Sequence, residues 1–132
     1  MEKTVEIQVR FRDLDAYGHV NNAVYMSYLE TSRVELVRDI FIRDMANNIR
    51  YLLISVKLDY LHPIYLEDRV LVHCKFDEIG KVRFKVTYKV HNGEGTLFAK
   101  GYSEHALFNG NTNRPMRLPD EWKEAIKKMQ PQ

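Results

Sequence analysis

A single cysteine, Cys74, in 132 residues excludes an internal disulfide framework and fits a reducing compartment. Charge of one sign is also missing. Twenty basic against 18 acidic side chains leave a net charge of +2, too little for a nucleic-acid surface, where concentrated basic residues are expected. No apolar run approaches the roughly 18 residues that a membrane helix needs. The first residues, Met1–Glu6, hold no apolar signal core, so a cytoplasmic protein that does not engage the membrane is expected. There is no Gly-x-x-x-x-Gly-Lys-Ser/Thr phosphate loop, no Gly-x-Gly-x-x-Gly fingerprint and no His-Glu-x-x-His. His19, His62, His73, His91 and His105 show no metal spacing. Neither a metal nor a cofactor is therefore expected. With no internal repeat, low-complexity segment or linker, residues 1–132 read as one domain.

What is present is a sequence of clear periods. Val5, Ile7, Val9 and Phe11 alternate with Glu6, Gln8, Arg10 and Arg12, which predicts a half-buried strand over residues 5–12. From about Asn22 to Arg38 the period changes. Tyr25, Tyr28, Leu29, Ser32 and Leu36 fall on one stripe of a long helix, with Asn21 or Asn22 capping its first turn. Four more strands follow: Tyr51–Leu61, then a segment carrying Val70, Val72, Cys74 and Phe76, then Val82–His91, then residues 96–108 after the turn Asn92-Gly93-Glu94-Gly95. Trp122, Ala125, Ile126 and Met129 share a stripe of a short C-terminal helix. The order predicts an α+β fold, a five-stranded, mostly antiparallel sheet packed on one dominant helix. Its edge strands need pairing or protection, which favours a homo-oligomer.

Chemistry concentrates in Asp13-Leu-Asp-Ala-Tyr-Gly-His-Val-Asn-Asn22, between a strand end and a helix start. Helix N-terminal N–H groups stabilise an anion or polarise a carbonyl oxygen, and Gly18 lets a ligand approach the backbone. A carboxylate beside such donors suits acyl transfer. It suits thioesters most, because a thiol with a pKa of about 8.5 leaves without a general acid, whereas an amine needs one.

Residues 12–22, continuing through Tyr25, Tyr28, Glu30 and Arg33, resemble the signature of hotdog-fold acyl-CoA thioesterases, relatives of 4-hydroxybenzoyl-CoA thioesterase and of bacterial long-chain acyl-CoA thioesterases. Residues 114–119 resemble that family's exit from its last strand into a C-terminal helix. The resemblance implies a sheet wrapped around the long helix, sheets continuous across a homodimer or homotetramer, and an active site at the subunit interface. It implies Asp15 as general base or nucleophile, with Gly18, His19 and Asn22 in the catalytic set and backbone N–H groups of residues 18–22 on the thioester oxygen. Tyr17, Val20, Asn21 and Tyr25 would line the substrate site, and the His-Val-Asn-Asn run points to the fatty or general acyl-CoA branch. Coenzyme A enters only as part of the substrate. A non-catalytic module binding an acyl-CoA or acyl-carrier thioester is the alternative.

Other residues divide between function and structure. Arg83, Arg114 and Arg117 are candidates for the coenzyme A phosphates, since a guanidinium matches phosphate geometry. Asp13 is expected to bond a backbone turn or Arg12, and Glu30 and Arg33, at i, i+3, to form an ion pair. Cys74 reads as a small buried hydrophobe. Ser103 and His105 share a strand face, but Gly101-Tyr-Ser-Glu-His105 lacks the second glycine of a nucleophile elbow.

Overall fold

The computed structural model describes residues 2–120 and 122–124. Strand β1 (Glu2–Ile7) leads through a loop to α1 (Tyr25–Leu36) and α2 (Arg38–Ala46); β2 (Ile49–Tyr60), β3 (Val70–Ile79), β4 (Arg83–His91), β5 (Leu97–Asn109) and the short β6 (Arg114–Met116) follow. Every pairing is antiparallel, in the order β1-β3-β4-β5-β2. Where β4 begins, opposite Ala106, β6 takes over the same edge of β5 from Leu107 to Asn109. Among the described residues the sheet therefore has six strands rather than five.

The helical stripe is the one the sequence predicts. Tyr25, Tyr28, Leu29, Ser32 and Leu36 are the buried residues of α1. They face Val72, Cys74, Val86, Tyr88 and Val90, all buried on the inner side of β3 and β4. Each large apolar side chain enclosed this way contributes roughly 1.5–3 kcal/mol. Cys74 is one of them; burial pushes its thiol up to about 11, so it packs as a hydrophobe.

Two expectations are corrected. The first strand stops at Ile7, and Phe11 is 81% exposed, because the buried Asp13 carboxylate takes the Arg10 N–H at 3.0 Å and curls residues 11–13 into a 3-10 turn. The helix over 22–38 is three pieces: a 3-10 turn at Asn22–Val24, α1, and a break at Val37 (φ −116°, ψ 18°) before α2. Helix α2 has a stripe of its own, Ile40, Phe41 and Asp44, which continues from Val37 at the break. Of the C-terminal helix, Asp120 and residues 122–124 are helical, with Trp122 fully enclosed; Ala125, Ile126 and Met129 lie outside the described residues.

The edge strand β2 is unusual in what it exposes. Leu52, Leu53, Ile54 and Val56 are 39–49% exposed, and a bulge between Leu53 and Ser55 interrupts their register with β5. Apolar side chains on an unpaired sheet edge are a template for pairing with another chain.

Candidate active site

Residues 13–22 form a small closed loop. Asn21 N–H donates to the Asp13 carbonyl (2.9 Å) and Asp15 N–H to the His19 carbonyl (3.0 Å). The turn closes with Gly18 N–H on the Asp15 carbonyl at 3.0 Å. Gly18 has φ +83°, a left-handed conformation that glycine adopts without penalty. Val20 is fully buried and its N–H bonds the Ile64 carbonyl at 2.8 Å. The Asn21 side chain caps the helix start, accepting from Ala23 N–H at 2.9 Å.

Asp13 anchors the loop. Besides Arg10 N–H it accepts the Tyr28 hydroxyl at 2.7 Å, with the Arg10 guanidinium 3.6 Å away. Burial alone would raise its carboxyl; the Arg10 N–H, the Tyr28 hydroxyl and the charges of Arg10 and Arg12 outweigh that and hold it below the usual range. The structural role expected of Asp13 is therefore seen, with Arg10 as the partner in contact.

Asp15 is held differently. Its Oδ1 accepts Tyr17 N–H at 2.9 Å, its Oδ2 lies 3.7 Å from His19 Nδ1, and the side chain stays 22% exposed. The carboxylate is thus oriented but reachable. His19 lies in a ring cluster, stacked on Tyr17 at 5.9 Å and edge-on to Tyr65 at 6.3 Å; Tyr17 itself is 83% exposed. Behind His19 opens a cavity of about 190 Å³ lined by Val20, Asn22, Tyr25, Tyr60 and His62 among others. Asp15 stands next to this cavity through His19 and does not itself line it.

Of the N–H groups from Gly18 to Asn22 expected to grip an oxyanion, those of Gly18, Val20 and Asn21 are spent inside the chain. Neither His19 N–H nor Asn22 N–H has an acceptor among the described residues, and Asn22 is the one at the helix start. Its carbonyl accepts the Tyr60 hydroxyl at 2.7 Å, and the Tyr60 ring meets Tyr25 edge-on at 4.8 Å. Tyr60 and His62 thus join the cavity without having been singled out in the sequence. The signal available was the end of an apolar strand at His62-Pro63.

The arginines are not brought to this loop within one chain. Arg83 is level with Ala106 and so with Leu52, and Arg114 with Asn109 and so with Ile49. Tyr60, beside Asn22, is about eight residues further along β2, roughly 25 Å at 3.3 Å per residue. Arg117 follows β6 at the same far end.

The far end has its own polar cluster. Arg33 does not pair with Glu30 among the described residues; it turns inward, where its Nη1 donates to the Tyr88 hydroxyl at 3.2 Å. Tyr88 lies 2.5 Å from Ser103 Oγ, which lies 2.7 Å from His105 Nε2. The Ser103–His105 pair therefore forms, but with Ser103 fully enclosed and no strand-to-helix turn to present it. Burial and the Arg33 charge push His105 down to about 4.

These shifts fix a pH dependence. An unfolded histidine titrates near 6.5, so below that pH the unfolded chain binds a proton that the fold refuses. Stability falls with pH from 6.5 to about 4, by roughly 3 kcal/mol at 1.36 kcal/mol per unit. Asp13 acts lower: its depressed carboxyl adds stability above the ordinary aspartate range, lost as pH falls through its folded value. Denaturant unfolding between pH 7.5 and 4.5 is expected to show the first loss in wild type and a flatter curve in His105→Gln. Parallel curves would contradict this account.

Among the described residues no three His, Cys, Asp or Glu side chains gather as metal ligands, and no helix is long and apolar enough to cross a membrane.

Comparison with known proteins agrees with this architecture. A family described as the thioesterase-like superfamily matches residues 9–126. The long-chain acyl-CoA thioesterase FadM of Escherichia coli is 27% identical, covering 94% of this chain and 96% of its own. A thioesterase from Thermus thermophilus, solved with coenzyme A and zinc, is 34% identical with a TM-score of 0.83, over 95% of this chain and 92% of that one. The DHNA-CoA thioesterase of Staphylococcus aureus superposes with a TM-score of 0.89 at 21% identity, over 96% and 89% of the two chains. The sheet curled over α1 is the hotdog fold, and the chain belongs to the thioesterase-like superfamily as a thioester hydrolase.

Proposed function

We propose that the chain hydrolyses acyl-CoA to a carboxylic acid and coenzyme A, with Asp15 activating the attack. The observation that carries this is a partly exposed, backbone-oriented carboxylate in the same closed loop as an unspent N–H, that of Asn22, at the helix start. In the base route, Asp15 takes a proton from water as the water oxygen bonds the thioester carbon. The carbonyl oxygen gathers charge and is gripped by Asn22 N–H, aided by the positive end of the helix. The C–S bond then breaks and the electron pair leaves on sulfur, which needs no donor at neutral pH. In the nucleophile route the Asp15 oxygen bonds that carbon directly, the C–S bond breaks with its electron pair leaving on sulfur to give an anhydride, and water later opens that anhydride. Transfer of solvent oxygen into Asp15 in single turnover separates the two. His19 positions the carboxylate, and Tyr25 and Tyr60 shape the cavity beside it. Thiol release from an acyl-CoA panel by wild type and Asp15→Asn tests the assignment; equal rates would overturn it.

The reading includes a homodimer formed by antiparallel pairing of two β2 edges. Such two-fold pairing sets the Ile49 end of one strand beside the Tyr60 end of its partner. Arg83, Arg114 and Arg117 of one copy would then approach the Asp15 loop of the other, where the coenzyme A phosphates need cations. The exposed apolar residues of β2 support this arrangement. The cytoplasm, where coenzyme A esters are made and used, is the compartment we assign. Sedimentation should show a wild-type dimer or a multiple of it, and Ile54→Lys/Val56→Lys should yield folded monomers with turnover reduced at least tenfold. A monomeric wild type would end the dimer proposal.

A further inference from the structure

The far end of the fold holds a larger cavity, about 400 Å³, between the C-terminal half of α1 and the sheet. That volume is in the range of small-molecule sites. Val34, Phe41 and Val86 make it largely apolar, but Arg33 and His105 also line it, and the two are linked to each other through Tyr88 and Ser103. The direction of that chain follows from its first member. A guanidinium only donates, so the Tyr88 oxygen accepts from Arg33 and passes its own proton to Ser103, and Ser103 passes its proton to His105 Nε2. The neutral imidazole then carries its hydrogen on Nδ1. No acceptor for Nδ1 is found among the described residues, and none of their fully enclosed side-chain nitrogens or oxygens is unpaired. Nδ1–H therefore reaches the cavity that His105 lines. Stacking on Phe84, with ring centroids 5.0 Å apart and planes 14° apart, fixes the ring.

An entirely hydrocarbon acyl group would fill this cavity and leave an N–H donor and a guanidinium facing methylene. A group carrying an oxygen there would satisfy both. Glu30 lines the cavity together with Arg33, so the two charges offset each other and a neutral oxygen suits the site. We propose that this cavity is the acyl subsite of the hydrolase, and that Arg33 and His105 select acyl groups bearing a hydroxyl or oxo oxygen at the far end of the chain. Tyr88 and Ser103 are positioning residues that hold His105 in its donor tautomer. The inference rests on the hydrolase reading and on the β2 pairing, which sets this cavity beside the partner's Asp15 loop.

The test uses octanoyl- and decanoyl-CoA, each with its ω-hydroxy and penultimate-oxo counterpart. In wild type, kcat/KM for the oxygenated member of a pair is expected to exceed that of the plain member about tenfold, equivalent to 1.4 kcal/mol. Arg33→Met and Tyr88→Phe should each bring the ratio below about twofold, with the change in KM rather than kcat. Tyr88→Phe removes one oxygen without changing shape, so a folded protein is available even if Arg33→Met is unstable. A wild-type ratio near one, or a ratio surviving both substitutions, would overturn the proposal. Asp15→Asn should slow both members alike and keep the ratio, which separates the two claims. If no ester is turned over, the hydrolase reading fails instead. Calorimetric Kd values for the same pairs then decide the subsite: tenfold tighter binding of the oxygenated member supports it, and equal values overturn it.

Discussion

Asp15→Asn is expected to lower kcat for acyl-CoA hydrolysis roughly a hundredfold or more, the usual worth of a positioned general base. The substitution keeps the oxygen that accepts Tyr17 N–H at 2.9 Å, so the loop should hold its shape. What is lost is the ability to take a proton or attack carbon. KM should change little, because the ground-state thioester is gripped by other groups, and kcat and kcat/KM should fall together. Asp15→Glu lengthens the side chain by one methylene and is expected to recover part of the rate, since the carboxylate survives while its distance to the carbonyl does not. Steady-state thiol release with wild type and both variants measures this. Activity in Asp15→Asn within threefold of wild type would remove Asp15 from the chemistry and leave Glu30 as the carboxylate to examine next.

The second large effect concerns stability. Asp44 is buried on α2, and one of its oxygens accepts both the Tyr51 hydroxyl at 2.5 Å and Trp122 Nε1 at 2.7 Å. Asp44→Ala strands two buried donors and opens a void between α2, β2 and the C-terminal segment. Each unsatisfied donor costs about 1–3 kcal/mol, so a loss of roughly 3–5 kcal/mol is expected. For a domain of this size, that lowers Tm by about 10 °C or more. Asp44→Asn keeps a carbonyl acceptor and should lose less than half as much. Thermal and denaturant unfolding of the three proteins decide the matter. An Asp44→Ala variant within 0.5 kcal/mol of wild type would show that these bonds add nothing net.

Asp44 also shows where sequence reading stops. The stripe of α1 and the alternation of Phe84, Val86, Tyr88 and Val90 in β4 are set by local periodicity, and both are found as expected. The cap at Asn21 and the turn at Gly18 are likewise local. Helix α2 was hidden because its buried face includes a carboxylate, which breaks the apolar period. The partner that makes Asp44 tolerable, Trp122, is 78 residues away. The same holds at the far cavity. Arg33, Tyr88, Ser103 and His105 come from three elements, and a surface ion pair with Glu30 was the nearest reading for an arginine whose real acceptor is 55 residues on. In the loop at 13–22 the residue types were legible, and the division of labour between the two aspartates was partly so. Which N–H groups remain unspent depends on Ile64 and on closure of the loop, neither of which sequence spacing encodes.

The clamp on Asp44 has an optical consequence. Trp122 is the chain's one tryptophan, its indole enclosed among Tyr51, Phe76 and Phe84 and its nitrogen tied to a carboxylate. Light absorbed by that ring reports on a single place, the seam where α2 meets the sheet. Emission from the native protein should be blue-shifted, and a red shift that precedes loss of far-ultraviolet ellipticity would mark that seam parting before the rest of the molecule unfolds.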